Sequence, residues 1–301
     1  KHKITHGFLS PSALSVLPKV SFPDLQCLTV GGEACSAELV SQWGTEQHLY
    51  NCYGPTESTV TAAIYLCQPN SQINSKKPPI GKPLPNIRIY ILDANNQLLP
   101  PGIPGELCIA GIGLARGYLH RPDLTATKFI DINLFGKSER IYKTGDLAKW
   151  NNEGYLEYLG RIDEQVKLRG FRIELGEIES LLLQHPSVKE AVVILYETDN
   201  NPRLIAYITE SEKTARLAFK GAIEVREYLK NHLPNYMIPS QIMVLENLPL
   251  TANGKINRRA LPAPNTASSA DLEIPVTQTE EILASLWQGL LKVQSISRSH
   301  N

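Results

Sequence analysis

The chain changes character at residues 160–179, which read GRIDEQVKLRGFRIELGEIE. Apolar and polar residues alternate over 166–169, Gly170 interrupts, and the alternation resumes in the opposite phase over 171–175. A glycine at such a change of phase indicates a bulge or a tight turn between two short strands. The stretch therefore predicts a strand–turn–strand unit at the beginning of a second part of the chain.

Downstream of this stretch the pattern is that of a small α+β unit. Apolar residues at helical spacing run from Leu175 to Leu182 and stop before Pro186, which predicts a helix. Two strands and a second helix are expected after it, at 191–196, 203–209 and 223–232. About a hundred residues are enough for a compact domain of this kind.

Upstream, an α/β pattern gives way to a β pattern. A short buried strand is expected at 25–30, ended by Gly31-Gly32, and a helix at 33–43 follows it. Clusters of Gly, Pro and Asn then separate a series of expected strands, at 87–92, 106–110, 141–142 and 155–158. The fold class expected from the residues is α/β followed by α+β.

Composition excludes several classes of protein. The 301 residues include 30 basic and 30 acidic ones, and a formal net charge of zero argues against a nucleic-acid binder and against a polybasic membrane-surface protein. No apolar run approaches the roughly 20 residues of a membrane-spanning helix.

The five cysteines lie far apart without a CxxC pair, which favours reduced thiols in a cytoplasmic protein over a disulfide framework or a zinc site. The first residues, KHKITH, contain neither an initiator Met nor a signal-peptide core, so we expect a sequence cut from a longer chain.

The C-terminal end predicts a separate helix. Residues 261–276 are rich in Pro, Ala and Ser and indicate a linker. Thr277 and Glu280 have the spacing of a capping box. An apolar stripe follows, made of Ile282, Leu283, Leu286, Trp287 and Leu290. Because a lone amphipathic helix buries little by itself, we expect it to belong to a further domain.

One turn combines three chemical groups within five residues, at Tyr53-Gly54-Pro55-Thr56-Glu57. The aromatic ring could stack on a base, the hydroxyl could reach a phosphate oxygen, and the carboxylate could hold Mg²⁺. A Gly-Pro turn whose Thr caps the next segment would have the same sequence. Taken alone, the string leaves both interpretations open.

Two other strings are equally ambiguous when they are taken alone. In 142–147 (YKTGDL), Asp146 follows a glycine at a strand end, where a carboxylate could bind a ribose diol or simply cap a turn. In 253–255 (NGK), Lys255 follows a tight-turn dipeptide. It could be an exposed surface charge or a cation delivered into a cleft to stabilise a phosphorus-centred transition state.

Taken in order, six strings closely resemble the adenylation domains of nonribosomal peptide synthetases, in the adenylate-forming superfamily that includes acyl-CoA synthetases and luciferases. The resemblance covers about residues 4–261. The strings are YGPTE at 53–57, GELCIAGIGLARGYL at 105–119, YKTGDL at 142–147, the stretch at 160–179, LPNYMIP at 233–239 and NGK at 253–255. The stretch at 160–179 and the closing helix favour the peptide-synthetase branch over the acyl-CoA branch.

The resemblance implies an adenylate-forming (ANL-type) fold of two unequal subdomains. Its expected parts are the C-terminal part of a large subdomain with a distorted β-barrel at 1–162, a small mobile α+β subdomain at 163–262, a linker at 263–276, and the first helix of a truncated peptidyl carrier domain at 277–301.

The resemblance also implies a reaction. The family activates an amino acid or a related carboxylic acid with ATP as acyl-AMP, releases pyrophosphate, and passes the acyl group to the phosphopantetheine thiol of a carrier. The implied cofactors are ATP/AMP, Mg²⁺ and the phosphopantetheine of the carrier. The implied partners are the acid substrate, a peptidyl carrier domain in cis and other synthetase modules, with neither nucleic acid nor membrane among them.

Site residues carry over string by string. By resemblance Lys255 is the catalytic lysine, Glu57 the Mg²⁺-associated carboxylate and Thr56 the hydroxyl on the α-phosphate. The implied nucleotide contacts are Gly32, Glu33, Ala34, Asn51, Tyr53, Gly54, Asp146 and Arg161. Asp163 matches the hinge. The small subdomain of the family swings about it after adenylation, withdraws the lysine and presents the strand near Gly170 to the pantetheine arm.

An acyl pocket is implied as well. Its residues by resemblance are Phe8, Thr29, Gly31, Cys52, Val60 and Thr61, all of them neutral. A charged acyl side chain would be buried there unpaired, so an apolar or aromatic substrate is expected. An ordinary set of core residues would have the same composition.

The sequence departs from the family pattern at both ends. It contains no Gly/Ser/Thr-rich phosphate loop, no match to the acid that binds an α-amino group, and no carrier serine. We therefore expect this sequence alone to be incomplete for the full reaction, and amino, hydroxy and plain carboxylic acids are not distinguished. Two alternatives stay open: an acyl-CoA ligase that uses free coenzyme A, and a non-catalytic fragment that retains the fold.

Overall fold

The first sheet is mixed and lies at the N-terminal end of the chain. A computed structural model describes residues 3–18, 20–68, 77–197, 202–211, 222–251, 254–264 and 275–291. The sheet contains β1 (His6–Leu9), β2 (Cys27–Gly31), β3 (His48–Tyr53), β4 (Ala63–Cys67) and β5 (Lys82–Pro83), in that order. The first three strands are parallel, and the last two are antiparallel to their neighbours.

Two short helices connect the parallel strands, α1 (Pro11–Ser15) and α2 (Ala37–Trp43). The strand predicted at 25–30 is confirmed as β2. The helix predicted at 33–43 begins only at Ala37, because the Ser36 hydroxyl caps it by accepting a hydrogen bond from the Leu39 N–H at 3.2 Å. Residues 33–36 are thus free to form a loop at the carboxyl end of β2.

The second sheet is antiparallel. It contains β6 (Ile87–Leu92), β7 (Gly105–Gly111), β8 (Phe129–Leu134), β9 (Lys137–Trp150) and β10 (Leu156–Arg161), and α3 (Pro122–Lys128) precedes β8. Strands run in the order β10-β9-β7-β6, and β8 pairs with the first part of β9. Within the described residues no ladder joins β6 to β10, so the sheet is open where a distorted barrel was expected. The predicted strand at 141–142 is the middle of β9, which is 14 residues long.

The stretch at 160–179 forms the predicted strand–turn–strand unit. Strands β11 (Val166–Leu168) and β12 (Phe171–Ile173) pair antiparallel through a two-residue turn. Both turn residues have positive φ, 51° at Arg169 and 81° at Gly170, as the tightest hairpins require. We call residues 166–173 the hairpin.

The C-terminal unit is α+β, as predicted. Its elements are α4 (Leu175–Leu182), β13 (Val188–Tyr196), β14 (Arg203–Glu210), α5 (Ala222–Lys230) and β15 (Gln241–Leu245), and the sheet order is β13-β14-β15. Leu168 and Ile173 of the hairpin are buried in the same core as Ile178 of α4 and Val193 of β13. The hairpin is therefore built on the C-terminal unit. Another core joins Tyr53 of the first sheet to the inner face of the second sheet.

The last helix, α6 (Gln278–Leu291), begins with the predicted capping box. The Glu280 N–H donates to Thr277 Oγ1 at 3.3 Å, and the Thr277 N–H donates to Glu280 Oε2 at 3.0 Å. Most of the predicted linker, residues 265–274, lies outside the described residues. No helix in the described ranges is long and apolar enough to span a membrane.

Candidate functional site

A cleft of about 270 Å³ opens at the carboxyl ends of β2 and β3, the edge at which parallel strands commonly bind ligands. The predicted nucleotide contacts that line it are Gly32, Glu33, Ala34, Asn51, Tyr53, Gly54 and Arg161. Tyr158, Gln165 and Lys167, which the sequence did not single out, also line the cleft. The structure thus gathers strings that are more than a hundred residues apart.

Tyr53 lines the cleft, and Asp146 lies buried behind it. Tyr53 donates its phenol hydroxyl to Asp146, and Arg161 Nη1 donates to the other carboxylate oxygen at 2.9 Å. Burial and the charge of Asp146 raise the pKa of Tyr53 well above its ordinary value, so the phenol remains a donor. Both side chains of the Arg161–Asp146 ion pair are largely buried. Removing one partner from such a pair typically costs about 3–5 kcal/mol.

Arg161 extends the cluster to the predicted hinge. Its Nε donates to Asp163 Oδ1 at 2.8 Å and its Nη2 to Asp163 Oδ2 at 2.5 Å. Burial alone would raise the pKa of Asp163, but the hydrogen bonds and charge of Arg161 outweigh it and hold that pKa below its ordinary value. Gly145 leaves space for the pair, since a side chain there would meet Asp163 Oδ2 at 2.7 Å and Arg161 Nη2 at 2.8 Å.

Glu57 lies beside a second cleft, of about 440 Å³, together with Thr56. Its Oε1 accepts from the Tyr118 hydroxyl at 2.6 Å, and Arg172 Nη1 donates to Oε1 at 3.0 Å and to Oε2 at 2.8 Å. Burial raises the pKa of Glu57, but the Tyr118 hydrogen bond and the Arg172 charge outweigh burial, so the pKa lies below its ordinary value. The carboxylate is therefore ionised at neutral pH.

An ionised carboxylate fits Mg²⁺, which proteins usually hold with one or two carboxylates plus substrate phosphates. No group of three or more His, Cys, Asp or Glu that could hold a metal occurs in the described part of the chain. Glu57 thus suits a cation that arrives with a phosphate, rather than a cation held in a protein cage.

The hairpin closes one side of the cleft. The Gly170 N–H at its tip donates to Glu33 Oε1 at 2.6 Å, and the other Glu33 oxygen accepts from the Ser12 N–H at 3.0 Å. Phe171 stacks on Tyr236 with ring centroids 4.1 Å apart. The Glu33 carboxylate therefore joins the hairpin to the first sheet.

A lysine of the hairpin enters the cleft. The Lys167 ammonium lies 5.7 Å from the Tyr53 ring centroid and 6.0 Å from that of Tyr158, within reach of cation–π attraction. Burial lowers the pKa of Lys167, with the charge of Asp146 acting in the opposite direction. Lys167 is thus a partly buried cation that faces Tyr53, the predicted adenine contact, and Tyr158.

Lys255 is not brought to either cleft. It is exposed on a turn in which its N–H donates to Thr251 Oγ1 at 3.2 Å and its carbonyl accepts from the Thr251 N–H at 2.7 Å. Arg258 fixes the segment just beyond it, because its guanidinium donates to the Val193 carbonyl at 2.6 Å and to Glu164 Oε2 at 2.5 Å. The turn therefore belongs to the C-terminal unit, like the hairpin, but lies elsewhere on it.

The predicted acyl-pocket residues fall into two groups. Phe8 pairs with Thr29 across β1 and β2, and Gly31 pairs with Cys52 across β2 and β3. A side chain at Gly31 would meet the Cys52 carbonyl at 3.0 Å and the Phe8 ring at 3.5 Å, so glycine keeps this space open. Burial raises the pKa of the Cys52 thiol to about 11, which leaves a neutral wall at physiological pH.

Val60 and Thr61 lie on the connection between β3 and β4. Val60 has φ 68° and is 71% exposed, an unusual backbone conformation for a β-branched residue. Thr59 before it also has positive φ, 62°, and its hydroxyl donates to the Gly113 carbonyl at 2.7 Å. The connection is thus held by the glycine-rich part of the 105–119 string.

Tyr118, Gln165, Lys167 and Arg172 are site residues that reasoning from the sequence missed. Lys167 and Arg172 occupy the polar positions of the alternating hairpin, which a solvent-facing strand would fill in the same way. Local sequence carries no signal that this face is turned into a cleft, because Tyr53, which Lys167 faces, and Glu57, which Arg172 binds, lie more than a hundred residues away.

Two sequence profiles match the chain. The profile of the AMP-binding enzyme family matches residues 1–119, and that of the AMP-binding enzyme C-terminal domain matches residues 177–255. Together they cover most of both units.

Similar proteins are long peptide synthetases. A polypeptide of the linear gramicidin synthase from Brevibacillus parabrevis is 49% identical over 297 residues, which are 98% of this chain and 4% of that protein. Tyrocidine synthase 1 of the same organism is 45% identical over the whole chain, which corresponds to 27% of its length. The chain thus spans a small part of the curated relatives that it matches.

A solved structure shares the fold. It is holo-PA1221, an NRPS protein containing adenylation and PCP domains bound to a vinylsulfonamide inhibitor. Its TM-score is 0.77 at 27% identity, over 97% of this chain and 48% of that one.

Proposed function

The chain belongs to the AMP-binding enzyme family, in the branch of nonribosomal peptide synthetase adenylation domains, and on this premise we propose that the full-length protein activates a carboxylic acid with ATP. The products are acyl-AMP and pyrophosphate. The observation that carries the proposal is the cluster of Tyr53, Asp146 and Arg161 at a strand-end cleft, with the ionised Glu57 nearby.

The cleft suits a nucleotide. Tyr53 offers an aromatic face for adenine, and Asp146 retains lone pairs for the ribose hydroxyls, since a carboxylate has about four acceptor sites and two are used here. The backbone of 32–34 would border the base, and Asn51 is anchored beside it by a hydrogen bond to the Pro79 carbonyl at 2.9 Å. Glu57 would hold Mg²⁺, which neutralises phosphate charge when bound, and Thr56 would reach the α-phosphate.

Catalysis by Lys255 requires the C-terminal unit to move. An in-line attack on the α-phosphorus needs a cation where negative charge develops, and Lys255 is exposed and lines neither cleft. We propose that the unit beginning near Asp163 has two positions: one with the Lys255 turn at the cleft for adenylation, and this one with the hairpin docked. The separate hydrophobic core that unites the hairpin with 175–242 supports a rigid-body movement. The division into 1–162 and 163–262 is part of this proposal.

The hairpin-docked position suits transfer of the acyl group to a carrier thiol. Helix α6 supports a carrier domain in cis, because Ile282, Leu283, Leu286 and Trp287 form an apolar face that is about half exposed in the described residues. We also propose that this carrier domain begins within residues 277–301, after a linker at 263–276. Other synthetase modules are the proposed partners. A cytoplasmic location is supported by five cysteines, all unpaired.

The acyl pocket supports an apolar or aromatic substrate. Phe8, Gly31 and Cys52 adjoin one another, and the described contacts bring no charged side chain between them. Acid-dependent ATP–pyrophosphate exchange by the full-length protein, measured across a panel of acids, tests both the reaction and this preference. Exchange should be highest with apolar or aromatic acids. A maximum with Arg or Asp would contradict the pocket assignment, and no exchange with any acid would contradict the reaction.

The acceptor is tested separately. With the preferred acid, the acyl group should appear as a thioester on the carrier and not on added coenzyme A. Rapid acyl-CoA formation would favour the acyl-CoA ligase alternative.

A further inference from the structure

Both carboxylate oxygens of Glu57 are already engaged by the hairpin and its neighbours. Arg172 donates to Oε1 at 3.0 Å and to Oε2 at 2.8 Å, and Tyr118 donates to Oε1 at 2.6 Å. The Glu57 side chain is only 10% exposed, and Arg172 is its cationic partner in the described residues. The carboxylate that suits a divalent cation is thus neutralised here by a side chain of the mobile unit.

Residues next to the predicted hinge hold the Arg172 side chain against Glu57. Its Nε donates to Gln165 Oε1 at 2.7 Å, and the Gln165 N–H donates to Asp163 Oδ1 at 3.2 Å. Gln165 is itself buried. The guanidinium is therefore positioned by the segment that begins at the hinge, and a change of hinge conformation would remove it from Glu57.

We propose that Arg172 and a divalent cation compete for Glu57, so that the hairpin docks only when the cation has left the carboxylate. The inference rests on the proposed function, which assigns Glu57 to Mg²⁺. It goes beyond that function by giving Arg172 a role: a positioning residue that senses whether the cation is present.

Electrostatics makes the two states exclusive. A cation on either oxygen of Glu57 would stand beside the guanidinium, in a partly buried place where like charges repel strongly. Of the other charged residues that line this cleft, Lys128 is basic and Asp163 and Glu174 are acidic, so the repulsion that excludes the cation comes from Arg172 itself. Without the cation, Glu57 would lack a counter-charge, which favours Arg172 and hence the docked hairpin.

The fraction of molecules with a docked hairpin determines how much the removal of Arg172 changes the metal affinity. The apparent metal affinity is reduced by the fraction of molecules in which Glu57 is free. For docked fractions of about 0.7 to 0.9, removal of Arg172 should tighten cation binding by about threefold to tenfold. The expected change is thus a gain of affinity on loss of a side chain, which a merely structural role of Arg172 would not produce.

Binding of the Mn²⁺ complex of an ATP analogue that cannot be cleaved between the α- and β-phosphates, followed by the enhancement of water-proton relaxation on binding to the full-length protein, tests the competition. The Kd should fall about threefold to tenfold in Arg172→Ala and in Arg172→Gln, and rise in Glu57→Gln. Arg88→Ala is the matched control, because Arg88 also pairs with a glutamate, Glu139, but away from both clefts. Its Kd should equal that of the wild type.

Hydrogen exchange of the unmodified protein supplies a readout that needs no variant. With the ATP analogue present, addition of Mg²⁺ should increase amide exchange in residues 166–173 over a sample that contains the analogue and a chelator. An unchanged Mn²⁺ Kd in folded Arg172 variants, or hairpin exchange that Mg²⁺ leaves unaltered, overturns the competition. If instead Glu57→Gln does not weaken Mn²⁺ binding, the assignment of Glu57 to the metal is wrong. The proposed reaction is tested separately, by ATP–pyrophosphate exchange with the wild-type protein.

Discussion

The hairpin at 166–173 and the turn around Lys255 belong to the same C-terminal unit, yet only the hairpin reaches the cleft. The hairpin is tied to the first sheet by two carboxylates, Glu33 and Glu57. The Lys255 turn is tied to its own neighbours, through Thr251 and Arg258. One segment of the unit thus contacts the cleft while the other lies away from it, as the proposed alternation requires.

The two segments also differ in the charge that they offer. The hairpin brings Lys167 and Arg172 against groups that are already in place, whereas Lys255 is an exposed cation with local backbone contacts. Under the proposed function, Lys255 would act while negative charge develops on the α-phosphate, and the hairpin would dock afterwards. Variants that affect one segment but not the other test this difference.

The largest effect is expected for Lys255→Ala. Loss of a cation that stabilises transition-state charge typically lowers a rate by about 10²–10³-fold, so acid-dependent ATP–pyrophosphate exchange should fall by that factor. Lys230→Ala is the matched control, because Lys230 is a partly exposed lysine of α5 that pairs with Glu227. Circular dichroism should be unchanged in both variants. An ATP–pyrophosphate exchange rate in Lys255→Ala equal to that of the wild type would contradict a catalytic role for Lys255.

Next in size is the stability change for Asp146→Ala, in the part of the cleft that both positions share. The variant leaves the buried Tyr53 hydroxyl without its acceptor and removes one of the two carboxylates that pair with Arg161, which keeps Asp163, so the free energy of unfolding should fall by about 3 kcal/mol. Urea unfolding measures it. Asp123→Ala removes an exposed ion pair with Arg121 and should leave the midpoint unchanged. A loss in Asp146→Ala no greater than in this control would show that the cluster is not structural.

A smaller effect is expected for Gly170→Ala at the tip of the hairpin. Gly170 has φ 81°, and a non-glycine residue in this region costs about 1–2 kcal/mol. Strain there should weaken docking and lower thioester formation on the carrier by several-fold, more than it lowers pyrophosphate exchange. Gly102→Ala imposes similar strain at φ 88° with no atom within 4 Å of the new side chain, and thioester formation should then be unchanged. Equal losses in both variants would argue against a docking role.

The smallest effect concerns pH. The pKa of Glu57 is lower in the folded protein than its ordinary value of 4.5. The stabilisation is therefore fully present above the unfolded pKa and lost as pH falls through the lower folded pKa. The stability difference between wild type and Glu57→Gln should be constant from pH 7 to about pH 5 and should shrink below that. A difference that grows on acidification would mean that Glu57 is not held ionised.

The sequence predicted helices and turns correctly where hydrophobic periodicity agrees with the turn and capping residues beside it. The tight turn at Gly170, the helix from Leu175 and the capping box at Thr277 are confirmed, because each is encoded within a few residues. The start of α2 was wrong by four residues, since the Ser36 cap outweighed the helical pattern before it. The open second sheet was also missed, because sheet closure depends on pairings across the whole domain.

For the site, sequence strings predicted which residues would meet but not how they pair. Tyr53, Asp146 and Arg161 do converge. The hydrogen bonds that Gly170 donates to Glu33 and Arg172 donates to Glu57 join residues more than a hundred positions apart. In the sequence, a polar residue such as Arg172 is equally typical of a strand that faces solvent. These bonds depend on how the two units are placed against each other, and a local sequence pattern does not encode that placement.

Hydrogen exchange with and without nucleotide tests most directly whether the two segments alternate at one cleft. Full-length protein would be compared alone and with its preferred acid plus an ATP analogue that cannot be cleaved between the α- and β-phosphates. Alternation predicts reciprocal changes: amides of 166–173 exchange faster with the analogue, and those of 254–258 exchange more slowly. Protection of both segments at once, or an unchanged hairpin with the analogue bound, would contradict it.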